Sequence, residues 1–284
     1  MHPSKVVELQ HEKALHSTHP RARGTRFACM RVVVDDGDIH LTADVAGEGP
    51  LVVCHPGFGR WGRDFEPVRS VLLTAGRRVA LFDPRGVGES TGPLDGLTMH
   101  DLATDLLRVA RQLGAPPFDL VGHAFGNRVV RCAAADAPDE VGRVALIGAG
   151  GLVPASPAAY SALQRAMDLG LSREERLVAL QQSLFAPGND PSSWLDGWHA
   201  TAVAAQGAAL RATPEGDWVD AGVARVLVVQ GLDDVLALPV NGRELVARLG
   251  ARAALIEIAN AGHAMLPEQP LAIANALVDF FGPR

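Results

Sequence analysis

The chain has 284 residues, 48% of them hydrophobic, and a formal net charge of −6. That length and apolar content suit one α/β domain carrying an insertion, and the acidic balance speaks against a nucleic-acid partner. Cys29, Cys54 and Cys132 cannot all pair and have no metal-ligand spacing, so a reducing cytoplasm is expected. No apolar run approaches the roughly 20 residues needed to cross a membrane.

Residues 1–26 come first. They carry Lys5, Lys13, Arg21, Arg23 and Arg26, with His2, His11, His16 and His19 at irregular intervals. There is no apolar stretch of the kind a secretory signal needs, and few large apolar residues, so a mobile arm is expected. Two strands follow at 27–34 and 39–46, antiparallel and joined by the turn residues Asp35-Asp36-Gly37-Asp38. From 51 to 148 the pattern alternates: strand 51–54, helix 64–75, strand 78–82, helix 98–113, strand 118–121, helix 125–136, strand 143–147. Such alternation predicts a parallel sheet covered by helices, with ligands at the carboxyl ends of the strands. The segment 152–222 breaks it. Pro154-Ala155-Ser156-Pro157 opens a mostly helical stretch holding Tyr160, Phe185, Trp194, Trp198 and Trp218. The alternation resumes at Arg225 and ends in a helix at about 270–281.

Five motifs punctuate this alternation in order. Leu51-Val52-Val53-Cys54 leads into His55-Pro56-Gly57-Phe58. Val79-Ala80-Leu81-Phe82 leads into Asp83-Pro84-Arg85-Gly86-Val87-Gly88-Glu89-Ser90. Phe118-Asp119-Leu120-Val121 leads into Gly122-His123-Ala124-Phe125-Gly126. Val226-Leu227-Val228-Val229-Gln230-Gly231 leads into Leu232-Asp233-Asp234. Ala261-Gly262-His263-Ala264-Met265 precedes the last helix. The third is the frame of a nucleophile elbow, G-x-S-x-G, with alanine where the nucleophile belongs. From about Phe27 to Arg284 the sequence resembles the α/β-hydrolase superfamily. The resemblance implies a mostly parallel eight-stranded sheet flanked by helices. Residues 27–151 and 223–284 would form the core and 152–222 a helical cap.

By that resemblance the acid is Asp234, with Asp233 as fallback, and the base is His263. The carboxylate would fix the imidazole tautomer, and the imidazole would take a proton from whatever occupies the elbow. The backbone N–H of Phe125 is one candidate oxyanion donor. The other comes from the His55 turn, where Pro56 has no N–H, leaving Gly57 or, preferably, Phe58. His55, Trp194, Trp198 and Met265 are candidate pocket residues, with Met99 a further one. Arg60, Arg85 and Arg128 lie close to the motifs, and Arg128 reads as a packing or salt-bridge residue.

Alanine at 124 leaves three explanations open: a deliberate Ser-to-Ala variant of a serine hydrolase, a native enzyme working without a covalent intermediate, or a protein that only binds a ligand. Cys54 and Cys132 read as buried apolar residues and Ser90 as a structural one, so none replaces the missing nucleophile. The expected activity is hydrolysis of a small apolar carbonyl or ester-type substrate through an Asp–His pair, with no cofactor and no metal. Oligomeric state is left open.

Overall fold

A computed structural model describes residues 27–282. The N-terminal segment expected to be a mobile arm lies outside the described residues. Strands β1 (Cys29–Asp36) and β2 (Ile39–Ala46) form the antiparallel leader. The turn between them is only Gly37-Asp38, because Asp35 and Asp36 still pair with His40 and Ile39. β2 then runs antiparallel to β4 (Arg78–Asp83). The remaining strands, β3 (Leu51–His55), β5 (Phe118–His123), β6 (Val141–Ile147), β7 (Arg225–Gly231) and β8 (Ala253–Ile258), add in parallel. The order across the eight-stranded sheet is β1-β2-β4-β3-β5-β6-β7-β8.

The central strands are apolar throughout because both faces are covered, and successive side chains point to opposite faces. Val53, Leu120, Val144 and Val228 join one core, beneath α2 (Met99–Leu113), α3 (Gly126–Asp136) and α7 (Pro239–Leu249). Their neighbours Val52, Val121, Ala145 and Val229 join the other, beneath α1 (Glu66–Thr74) and α8 (Pro270–Phe281). The expected helix 64–75 is a 3-10 turn over Gly62–Phe65 followed by α1. Pro67 sits in the first turn of α1, where its missing N–H costs nothing.

Between β6 and β7 lie α4 (Pro157–Met167), α5 (Arg173–Ser183) and α6 (Ala200–Ala212). Ser156 caps α4, and Ser172 with Glu175 forms a capping box on α5. This insertion divides its apolar residues between two places. Leu180, Leu184, Phe185, Trp194 and Leu195 form a third core. Ala205 and Ala209 of α6, with Trp218, belong instead to the main core on the α2–α3 side. Among the described residues no helix is long and apolar enough to cross a membrane.

Candidate active site

The elbow is built as the glycine spacing predicts. Ala124 adopts a left-handed backbone, φ +50°, between β5 and α3. So sharp a turn brings the chain against itself. A Cβ on Gly122 would lie 2.5 Å from the backbone of Asn127, and one on Gly126 would collide with the His55 and Pro56 carbonyls. The Ala124 N–H donates to the Ile147 carbonyl at 2.9 Å, and Asn127 Nδ2 donates to the Gly148 carbonyl at 3.0 Å. The elbow is thereby tied to the end of β6.

The same end of β6 meets the expected acid and base. A Cβ on Gly148 would lie 3.4 Å from His263 Nδ1 and 3.7 Å from Asp234 Oδ2. Asp234, just beyond β7, is buried, and its Oδ2 stands 2.8 Å from His263 Nδ1. Its Oδ1 accepts the backbone N–H groups of Leu236 and Ala237 at 2.9 and 2.7 Å. A carboxylate held this way accepts from Nδ1–H, so neutral His263 carries its basic lone pair on Nε2. Asp233, the fallback acid, is exposed and does not contact the imidazole.

A second histidine, His123, lies beside the first. Its Nε2 stands 2.7 Å from the His263 carbonyl, and the two rings are 5.6 Å apart. Since a carbonyl only accepts, Nε2 carries the proton and Nδ1 is a bare acceptor, buried and without a partner. Burial, reinforced by His263, pushes the pKa of His123 down to about 3, so it stays neutral. His123 occupies a variable position of the elbow frame, and nothing in its spacing marks it out.

The loop after β3 presses against the elbow through a residue without a side chain. A Cβ on Gly57 would lie 3.3 Å from His123 Nδ1 and 3.4 Å from the Ala124 methyl. The rings of Phe58 and Phe125 stack at 4.3 Å. Among the described residues the backbone N–H groups of Phe58 and Phe125 donate to no acceptor, and Gly57 shares that property.

Three expected pocket residues lie elsewhere. His55 is 1% exposed, faces Phe82 edge-on at 5.6 Å, and donates from Nδ1 to the Pro56 carbonyl. Burial lowers its pKa to about 4, so it is a neutral brace for the loop and not a pocket wall. Met265 is fully buried in the core beneath α8, and Met99 in the opposite core, because each starts or precedes a helix packed on the sheet. Trp194 and Trp198 lie in the segment between β6 and β7, where the guanidinium of Arg60 lies 4.5 and 4.7 Å from their ring centroids. Arg60 also pairs with Asp64 at 2.6 Å and donates to the Asp196 carbonyl, joining the β3 loop to that segment.

The segment between β6 and β7 also grips the histidine loop, which the sequence did not reveal. Ala264 N–H donates to the Leu184 carbonyl at 2.7 Å. Glu268 accepts from the Ala186 and Gly262 N–H groups and from Asn189 Nδ2 at 2.7–2.8 Å. A Cβ on Gly262 would lie 2.6 Å from the Leu184 carbonyl, so only glycine allows this close approach.

No substitute nucleophile stands at the elbow. Cys54 and Cys132 are buried, and burial raises both thiol pKa values. Ser90 donates to the Asp83 carbonyl at 2.7 Å. On the outer side of α2 and α3, donor atoms of His100, Cys132 and Asp136 lie within 4.8 Å of one another. These are metal-ligand types that spacing along the chain had hidden, but the 2.9 Å His100–Asp136 ion pair already accounts for their proximity.

The family model "alpha/beta hydrolase fold" matches residues 50–183. The chain has the α/β-hydrolase fold. It is 33% identical over 112 residues to "Putative carbamate hydrolase RutD" of Variovorax paradoxus, a match spanning 39% of this chain and 42% of that protein. It is 26% identical over 258 residues to "Putative non-heme bromoperoxidase BpoC" of Mycobacterium tuberculosis, covering 86% of this chain and 98% of that one. A solved hydrolase from Pseudomonas aeruginosa superposes with a TM-score of 0.73 at 22% identity, covering 89% and 98% of the two chains.

Proposed function

We propose that the protein hydrolyses a small, largely apolar carbonyl or ester-type substrate through Asp234 and His263, without a covalent intermediate. The observation that carries this reading is the intact Asp234–His263 pair, 2.8 Å apart, with the second carboxylate oxygen doubly hydrogen-bonded. A buried carboxylate held by three donors orients a base and stabilises its protonated form. At a site that only binds, such an arrangement has no use.

The step assigned to the pair is attack by water. His263 Nε2 takes a proton as the water oxygen bonds to the carbonyl carbon, and Asp234 stabilises the imidazolium. The carbonyl oxygen gains charge and receives the unengaged N–H groups of Phe125 and Phe58. The α3 N-terminus adds its positive end. As the tetrahedral intermediate collapses, the bond to the leaving group breaks and His263 returns the proton to it. The Ala124 methyl, smaller than a seryl side chain, leaves room for the water. The β3 loop with Phe58 and the cap with Trp194 and Trp198 are the apolar surroundings assigned to the substrate.

The test is p-nitrophenyl butyrate hydrolysis by the native chain and by His263→Ala. General-base catalysis contributes roughly 10²–10⁴-fold, so the variant should lose at least about 100-fold in kcat. An unchanged rate in the variant sinks the reading and leaves a ligand-binding protein.

A further inference from the structure

Two arginines on α3, Arg128 and Arg131, stand apart from the other buried cations. Arg60 pairs with Asp64 and Arg85 with Asp105, each through two hydrogen bonds to the carboxylate. Among the described residues neither Arg128 nor Arg131 has a carboxylate within salt-bridge distance. Arg131 spends its donors on neutral acceptors, the Asn127 side chain and carbonyl and the Val219 carbonyl. The Arg128 guanidinium makes no hydrogen bond among the described residues, although the residue is partly buried. Both guanidinium groups lie over the Trp218 ring, at 6.0 and 4.7 Å. Two cations gathered on one indole, with Glu215 attracting both from beyond salt-bridge distance, repel each other and lose hydration.

The place matters as much as the charge. Arg128 lies one helical turn beyond Ala124, in the first turn of α3, at the carboxyl edge of the sheet where ligands of such folds bind. A Cβ on Gly151 would lie 3.6 Å from Arg128 Nη2, so the guanidinium sits under the bare backbone of the β6 exit. Three residues earlier that same loop carries Gly148, against the His263 imidazole. A crevice lined by Gly151, Trp218 and Arg131 adjoins it. Glu215 lies at its rim, exposed, and attracts both arginines without a salt-bridge contact to either.

We infer that Arg128 is a substrate-binding residue whose free guanidinium fork receives a carboxylate, with Arg131 adding charge behind it. The substrate is then a small acid, apolar apart from its carboxylate and the carbonyl that reacts one helical turn away. An arginine fork matches a carboxylate bidentately. This deepens the proposed hydrolysis by naming its substrate class and rests on that reading for the reacting carbonyl; the binding site itself stands without turnover.

The experiment measures thermal unfolding of the full chain with butyrate, butyramide or inorganic phosphate, at constant ionic strength. Butyrate should raise the melting temperature saturably, by about 2 °C, and the isosteric amide should not. Arg128→Met should abolish the shift, and Arg128→Lys should retain part of it. Without ligand, Arg128→Met should melt no lower than the native chain, because it removes an unpaired charge. Equal shifts with acid and amide, a shift that survives in Arg128→Met, or a shift with phosphate alone would overturn the inference. So would an unliganded Arg128→Met that is destabilised or fails to fold, since Arg128 would then be structural. None of these readings depends on hydrolysis, so the loss of esterase activity leaves them unaffected.

Discussion

Ala124 has no side chain with which to attack, yet it keeps the strained backbone that presents a nucleophile. A non-glycine residue at φ +50° is disfavoured by roughly 1–2 kcal/mol. Ala124→Gly should therefore raise stability by about 1 kcal/mol, read as a higher urea midpoint at unchanged slope. A lower midpoint would mean that the methyl packs more than the turn strains. The surrounding glycines behave oppositely. Gly126→Ala drives a methyl into two carbonyl oxygens of the β3 loop and should destabilise by about 1–3 kcal/mol. It should also move the Phe58 N–H away from the elbow. The residue scale thus separates strain tolerated at position 124 from close approach enforced at 122 and 126.

At the scale of elements, the segment between β6 and β7 contacts both loops that build the candidate site. Arg60 reaches from the β3 loop into that segment, pairing with Asp64, lying between Trp194 and Trp198, and donating to the Asp196 carbonyl. Removing it leaves Asp64 buried with no cation beside it and only the Trp61 side-chain hydrogen bond. Burial already raises the Asp64 pKa, against the pull of Arg60. Arg60→Ala should cost about 3–5 kcal/mol and speed proteolytic cleavage around residues 192–200. Cleavage at the native rate would mean that segment is held otherwise. Glu268 makes the matching clamp on the histidine loop. Glu268→Gln keeps an acceptor but loses charge against three N–H donors. Its expected signature is a fall in kcat with little change in KM, since it positions His263 and touches no substrate. An unchanged kcat would show that the loop needs no such clamp.

For the whole molecule, the two buried histidines set a pH limit. His55 and His123 have pKa values lowered from 6.5 to about 4 and about 3, first of all by burial. The unfolded chain takes up protons below pH 6.5 while the folded chain does not. Stability is therefore complete above that value and falls as the pH drops towards 4 and then 3. His55 alone accounts for about 3 kcal/mol by pH 4. Urea unfolding at pH 7.5 and pH 4.5 should show the loss. In His55→Gln the loss should be smaller, and an undiminished loss would assign it to other groups. The fold that buries these groups was largely legible along the chain. Apolar runs ending in glycine-rich turns mark the strands, and their order marks the elbow, Asp234 and His263. The rest was hidden because it depends on contacts between distant segments. Met265 and His55 sit beside motif residues but face the cores. Trp218 and α6 fall within the insertion but pack on α2 and α3. The lack of a carboxylate in contact with Arg128 among the described residues, and the grip of Glu268 on Ala186 and Asn189, exist only once residues dozens of positions apart have met.

Direct attack by water, with no acyl group on the protein, is the claim on which the account turns. Intact-protein mass measured while the native chain turns over p-nitrophenyl butyrate tests it. Direct attack by water predicts an unmodified mass at every time point while product accumulates without an initial burst. A species heavier by one butyryl group, formed and lost as fast as turnover proceeds, would contradict it by revealing a nucleophile that the elbow does not supply.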